Sequence, residues 1–249
     1  MNYYNFTELY ISEVFQGIQG EGSTTGMPCV FIRVSGCDFE CTWCDTEYAQ
    51  RRGNGKLRSR QHIREEVAAV THNAYIGIPA VLTGGNPCMY GDCMGKLIQK
   101  LLRTRPVILE TQGSQWQDWV NTCSHIVIAP KLQSSGMLPH TQESLPQFLN
   151  SVRQHPSVEL KFVLPHDNPW AELATLDPDV WRTRLRPGST ITFQPIALPD
   201  MRTDELLTAY RAFQDIIYAG PLYAELQPDY NIRILPQLHR LVWGTQRGV

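Results

Sequence analysis

This sequence has no excess of either charge, no long apolar run and no closed set of metal-binding thiols, and each absence removes a class of function. Its formal net charge is −2, so it carries no basic footprint for a nucleic-acid backbone. No apolar run approaches the roughly 20 residues of a membrane span. The segment "MNYYNFTELYISE" lacks the basic-then-apolar order of a secretion signal, so a soluble, cytoplasmic protein with no nucleic-acid or membrane partner is expected. No internal repeat, low-complexity tract or linker divides the chain, and residues 1–249 are expected to form one domain. With 42% hydrophobic and 18% charged residues the composition is that of an ordinary packed chain, not a disordered one.

What stands out is "GCDFECTWCDT", in which Cys37, Cys41 and Cys44 fall within eight residues. The chain has seven cysteines, an odd number and no disulfide framework, so metal or redox chemistry is the better reading. A structural zinc site wants four ligands, usually from two C-x-x-C pairs. Only Cys41 and Cys44 make such a pair here, and Cys88 and Cys93 are spaced too loosely for a second one. Three thiolates on an iron–sulfur cluster would leave one iron open, as a catalytic metal centre requires. A chance grouping with no metal is the plain alternative.

Along the chain, apolar runs alternate with helical patterns. "ELYISEVF" reads as a strand that enters the glycine-rich "QGIQGEGSTTG", and "CVFIRV" as a buried strand ending at the cysteine loop. "RRGNGKLRSR" reads as a solvated basic loop, and "RQHIREEVAAVTHN" as a helix with Ile63, Val67 and Val70 on one face. Strands "PAVLTGG", "PVILET", "HIVIAPK", "VELKFVLP" and "STITFQPI" then alternate with helices "DCMGKLIQKLLRT", "SQWQDWVNTC", "SLPQFLNSVRQH", "PWAELATL" and "DELLTAYRAFQDIIY". This alternation predicts an α/β fold of parallel strands with outer helices. Ligands in such folds sit at the C-terminal ends of the strands. The loops "TGGNP", "ETQG", "APK" and "FQP" are therefore expected to share one rim with the cysteine loop.

The C-x3-C-x2-C motif after an early strand resembles the radical S-adenosylmethionine (SAM) superfamily, and "LTGGNP" is its second mark. "FQGIQGEGSTTGMPCVFIRVSGC", the "DT" after the cysteines, "ETQG", "FQP" and "LPQLHRLVWG" together resemble the QueE family, the 7-carboxy-7-deazaguanine synthases, from Phe15 onward. The Gly-Gly-Asn-Pro variant and the closing "RGV" resemble one branch of it. The resemblance implies a modified partial (β/α) barrel and a homodimer. It implies conversion of 6-carboxy-5,6,7,8-tetrahydropterin to 7-carboxy-7-deazaguanine with loss of ammonia, on the route to queuosine and other 7-deazapurines. The implied cofactors are a 4Fe-4S cluster, SAM and Mg²⁺, with a flavodoxin- or ferredoxin-type reductant.

The same resemblance implies residue roles. Cys37, Cys41 and Cys44 would hold the cluster and Thr46 the Mg²⁺. Trp43, Gly84, Gly85, Asn86, Thr111 and Lys131 would bind SAM. Asn86 stands where the superfamily usually has Glu, and Ala129 where a Ser is more usual. Gln19, Glu21, Arg33, Gln194, Gln237 and His239 would contact the pterin, with Glu21 on its guanidine-like edge and Arg33 on its carboxylate. Residue chemistry alone leaves ordinary roles open: Glu21 as a solvated turn carboxylate, Arg33 in a structural ion pair, Thr46 as a turn or helix cap, His239 as a packed core residue, and Trp43 as a cover over the thiols. The competing functions are another radical SAM enzyme, such as a glycyl-radical activase, and a non-catalytic iron–sulfur electron carrier. The carrier would need a fourth thiolate, from Cys88 or Cys93.

Overall fold

The computed structural model of the chain describes residues 7–72 and 77–248. The expectations drawn from residues 1–6, from Asn73 at the end of the first helical pattern and from Val249 lie outside these. Nine strands are present among the described residues: β1 (Glu8–Ile18), β2 (Pro28–Val34), β3 (Lys56–Ser59), β4 (Ala80–Gly84), β5 (Val107–Thr111), β6 (His125–Ile128), β7 (Val158–Leu164), β8 (Thr190–Pro195) and β9 (Asn231–Ile234). They form one sheet in the order β3-β1-β2-β4-β5-β6-β7-β8-β9. From β2 to β9 every pairing is parallel, as the strand–helix alternation predicts. β1 pairs antiparallel with both β2 and β3.

The helices are α1 (Arg60–Val70), α2 (Asp92–Leu101), α3 (Leu138–Val152), α4 (Pro169–Leu173), α5 (Pro178–Trp181), α6 (Thr203–Ala219), α7 (Pro221–Leu226) and α8 (Leu238–Trp243). Two local readings are corrected. The basic stretch expected as a loop holds the edge strand β3, which pairs Glu8 with Ser59 through to Ile11 with Lys56. Charges at Lys56 and Arg58 suit an edge, where they discourage pairing with another chain. Ser59 then caps α1, its hydroxyl accepting from the His62 N–H at 3.2 Å. In the second case, the helix expected over "SQWQDWVNTC" is only a 3-10 turn, Asp118–Thr122. Asn121 and Thr122 are weak helix formers, and the Trp119 indole is committed to the Tyr90 carbonyl at 3.1 Å.

Side chains alternate across the sheet, so each central strand has two buried faces. One set, with Ile32, Leu82, Leu109, Ile126, Leu160 and Phe162, packs against the helices in the main core. The opposite set, Cys29, Phe31, Val81, Ile108 and Val127, forms a separate inner cluster with Phe15, which stacks on Phe31 at 4.8 Å. On β7 and β8 the inward positions turn polar: Glu159, Lys161, Thr192 and Gln194 are all buried. Polar side chains so placed need partners.

Glu159 finds them in the turn after β1. It accepts from the Ser23 backbone N–H at 3.0 Å and from the hydroxyls of Ser23 and Thr192, both at 2.5 Å. The His125 ring lies 3.2 Å away. Gly22 sits at φ +68°, and a Cβ there would stand 2.8 Å from the Glu159 carboxylate, so the close approach requires glycine. The turn carrying Gln19 and Glu21 is thereby tied to the inside of the sheet at β7.

Burial alone would raise the Glu159 carboxyl, but hydrogen bonds from His125, Ser23 and Thr192 outweigh it and hold the carboxyl at about 2. The folded value lies below the unfolded one. The stabilisation is therefore fully present above the unfolded value of 4.5 and is lost as pH falls toward 2. Its size is roughly 3 kcal/mol. Glu159→Ala is expected to destabilise the protein by at least about that much at neutral pH, with the gap narrowing as pH drops from about 5 to about 3. Urea unfolding at both pH values measures it, and a gap independent of pH would contradict this assignment.

Candidate active site

The C-terminal ends of the parallel strands surround a cavity of about 290 Å³. Cys37, Cys41 and Cys44 all line it. The loop that carries them is fixed at both ends. Gly36 and Cys37 donate backbone N–H groups to Ala49 and Gln50 at 2.7 and 2.8 Å. Thr42 donates from its N–H to the Ser135 carbonyl at 3.1 Å and from its hydroxyl to the Ser134 carbonyl at 2.7 Å. Trp43 donates to the Ser134 hydroxyl at 3.2 Å, and the Lys131 ammonium lies 5.2 Å from its ring centroid. N–H donors reach the sulfurs, among them Thr46 to Cys44 at 3.4 Å and the Gln112 amide to Cys37 at 3.6 Å.

The donor set fits an iron–sulfur cluster. Three thiols line one cavity, and no fourth cysteine joins them among the described residues. Cys29, Cys88, Cys93 and Cys123 are buried in the two cores instead, which leaves a carrier with four thiolates without its last ligand. Burial raises all three thiols, Cys37 to about 11, so metal binding there would release protons.

The glycine pair after β4 lies against the cysteine loop. A Cβ on Gly85 would stand 2.0 Å from the Gly36 carbonyl, so the backbones meet directly. Gly84, Gly85, Thr111, Ala129 and Lys131 line the cavity, as do Gln19, Glu21, Arg33, Thr46, Gln237 and His239. Three of the four expected rim loops are thus in place. The fourth, "FQP", contributes through Ala197 and Pro199 further on, not through Gln194.

Asn86 and Gln194 stand outside the cavity lining. Asn86 is fully buried and its amide is spent within the protein. The carbonyl oxygen accepts from the Cys88 N–H and the Thr111 hydroxyl at 3.1 and 3.0 Å, and the nitrogen donates to Asp38 and Ser114 at 2.9 and 3.0 Å. Asp38 also accepts from Gln112 and Ser114, both at 2.6 Å. Asn86 thereby stitches the glycine loop to the residue after Cys37. Gln194, next to the C-terminal residue of β8, is fully buried, and neither amide atom meets a partner.

Several alternatives left open by the sequence now resolve in geometry. Glu21 is no solvated turn residue: Lys161 donates to one carboxylate oxygen and Gln237 to the other. Burial opposes its ionisation, but Lys161 and His239 outweigh that and hold the carboxyl far below the usual range. Glu21, Asp45 and His239 converge to within 4.8 Å of one another. Arg33 does make an ion pair, to Glu13, but through a single Nε contact of 3.4 Å rather than a bidentate fork. Thr46 occupies the cap position of the 3-10 turn Glu47–Ala49 without making a side-chain cap; its hydroxyl donates to Asp45 at 2.8 Å.

Sequence reasoning passed over Glu110, Lys161 and the tail. Glu110 lines the cavity and accepts from Gln19 at 2.8 Å. Residues 244–248 complete the wall, with Arg247 2.6 Å from Glu13 and 3.6 Å from the Tyr48 ring centroid. The signal for Glu110 and Lys161 was a charge inside an apolar strand run, the same signal that drew attention to Arg33.

Residues 18–152 match the family model described as a 4Fe-4S single cluster domain. The chain is 32% identical to the 7-carboxy-7-deazaguanine synthase of Bacillus subtilis (strain 168), over 93% of this chain and 94% of that one. It is 34% identical to the same-named protein of Chlorobaculum tepidum, over 97% of each. Its fold matches the crystal structure of QueE from Escherichia coli with a TM-score of 0.60 at 22% identity, covering 92% of this chain and 94% of that one. Anaerobic reconstitution is expected to load iron and sulfide onto the wild type and onto Cys88→Ser alike. Cys37→Ser, Cys41→Ser and Cys44→Ser are each expected to lose the cluster absorbance; loss in Cys88→Ser would reinstate a closed, four-thiolate site.

Proposed function

The chain belongs to the 7-carboxy-7-deazaguanine synthase family, within the radical SAM superfamily, and on that footing we propose that it converts 6-carboxy-5,6,7,8-tetrahydropterin to 7-carboxy-7-deazaguanine with loss of ammonia. The observation that carries the substrate assignment is one cavity lined both by three clustered thiols and by Glu21 and Arg33. A ligand with a guanidine-like edge and a carboxylate finds an acceptor for the first and a cation for the second.

Cys37, Cys41 and Cys44 would hold a 4Fe-4S cluster whose open iron takes SAM, and Gly84, Gly85, Thr111, Trp43 and Lys131 would surround the SAM. When bound, the cluster and SAM supply the radical that opens the reaction. The chain's own residues do the rest by placement. Trp43 and the tail 244–248 restrict water. Gln19 and Gln237 supply amides that fix the orientation of Glu110 and Glu21. His239, packed against Gly20, adds a ring nitrogen on the same wall. Buried Gln194, with both amide atoms free, suits a polar molecule or a bound water reaching below the rim.

Thr46 is the proposed Mg²⁺ ligand. Its hydroxyl can keep donating to Asp45 while a lone pair faces the ion, and Mg²⁺ needs few protein ligands because it retains waters and takes substrate oxygens. A flavodoxin- or ferredoxin-type reductant, a homodimer, a single domain over residues 1–249 and a cytoplasmic setting complete the proposal. No helix among the described residues is long and apolar enough to cross a membrane. The product would enter the route to queuosine and other 7-deazapurines.

The test is anaerobic turnover with SAM, Mg²⁺, dithionite and the carboxytetrahydropterin, read by mass spectrometry. Wild type is expected to form 7-carboxy-7-deazaguanine and Cys37→Ser to form none. Arg33→Met is expected to raise the pterin KM by about tenfold to a hundredfold, the worth of a charge-assisted pair. Cleavage of SAM without any deazaguanine would overturn the substrate and favour an activase.

A further inference from the structure

Glu21 and Lys161 meet inside the cavity, although the turn after β1 and β7 lie far apart in the sheet order. Lys161 is 5% exposed on a strand whose neighbours are all buried. A lone ammonium in that setting would be costly, and so would a lone carboxylate. Their pairing removes both costs, but it does more than neutralise. A carboxylate offers about four lone-pair sites, two on each oxygen. Lys161 takes one site on Oε2 and Gln237 one site on Oε1. One site remains on each oxygen, and the two donors fix the plane in which they lie. Two adjacent acceptors in one plane match two parallel N–H donors, the pattern presented by a guanidine-like edge.

The other charged groups around Glu21 make the lysine necessary. Asp45 approaches from the cysteine loop, and Glu110 on β5 and Glu159 on β7 stand near Lys161. His239 faces Glu21 from α8. Lys131 lines the same cavity but stands over the Trp43 ring, so without Lys161 the Glu21 carboxylate would share the cavity with Asp45 and Glu110 and have no ammonium bonded to it. Burial would then favour the protonated acid, which presents an O–H donor where the substrate presents N–H.

We propose that Lys161 is a positioning residue for pterin recognition: it aims the Glu21 carboxylate, with Gln237, so that one free acceptor on each oxygen receives the two N–H groups of the pterin edge. The proposal rests on the function proposed above and adds to it the device that makes Glu21 selective. Lys161 acts through Glu21, so its loss weakens pterin binding and leaves the radical-forming step untouched.

The experiment compares wild type, Lys161→Met, Lys161→Arg, Glu21→Gln and the double variant Glu21→Gln/Lys161→Met, each reconstituted anaerobically. Pterin KM, kcat, iron content and pterin-independent SAM cleavage are measured. Lys161→Met is expected to raise KM by at least about tenfold with iron content and SAM cleavage unchanged. Lys161→Arg, which keeps the charge and the donors, is expected to recover most of that loss. The double variant is expected to be no worse than the poorer single one, because the two residues act as a unit. If Lys161→Met fails to fold, the comparison of Lys161→Arg with Lys161→Gln decides by the same KM criterion. A fall in kcat at constant KM, or fully additive losses in the double variant, would overturn the proposal while leaving the function intact. Absence of deazaguanine from the wild type would overturn the function and this inference with it.

Discussion

Two carboxylate contacts between the turn after β1 and the inside of β7 hold this structure in its working shape. Ser23 and Gly22 close on Glu159, and Glu21 closes on Lys161. β1 and β7 are separated by four strands in the sheet, so these ties span the concavity and keep the sheet curled. The curl is what brings Arg33 of β2, Glu110 of β5 and Lys161 of β7 onto one cavity. The inner apolar cluster around Phe31, Val81 and Ile108 fills the half of the interior that the polar ties leave. Packing against helices stabilises the sheet from outside, but the cross-sheet ties decide what it encloses.

The rim has its own stitching. Asp38, next to Cys37, accepts from Asn86, Gln112 and Ser114. One carboxylate thus ties the cysteine loop to the loops after β4 and β5. A Glu at position 86 would face Asp38 with a second carboxylate, whereas Asn offers the donor that Asp38 needs and the acceptor that Thr111 and Cys88 need. The departure from the superfamily's usual residue is therefore matched locally. Asn86 itself is buried in the wall behind the cavity lining.

Much of this was legible in the sequence, and the reasons differ by feature. The parallel core was legible because its strands are apolar on both faces and separated by helical periodicity. The thiol triad was legible because clustering of cysteines is rare without chemistry. Arg33, in an otherwise apolar run, marked the cavity for the same reason Glu110 and Lys161 could have: a buried charge needs a partner. Their partners come from other strands and a distant turn, and no local pattern reveals which charges meet. Strand β3 was hidden because an edge strand rich in Lys and Arg looks like a solvated loop. Gln194 and Asn86 were placed at the rim by motif, but one residue of strand register or one local hydrogen-bond network puts a side chain behind the wall instead.

The three thiols and the Glu21–Lys161 pair line one cavity, proposed above to hold cofactor and pterin together. The most direct measurement is a crystal structure of the anaerobically reconstituted protein with SAM and the carboxytetrahydropterin bound. The expected result is a cluster on Cys37, Cys41 and Cys44 alone, with the pterin's guanidine-like edge on Glu21 and its carboxylate on Arg33. A cluster closed by a fourth protein thiolate, or a pterin seated away from Glu21, would contradict it.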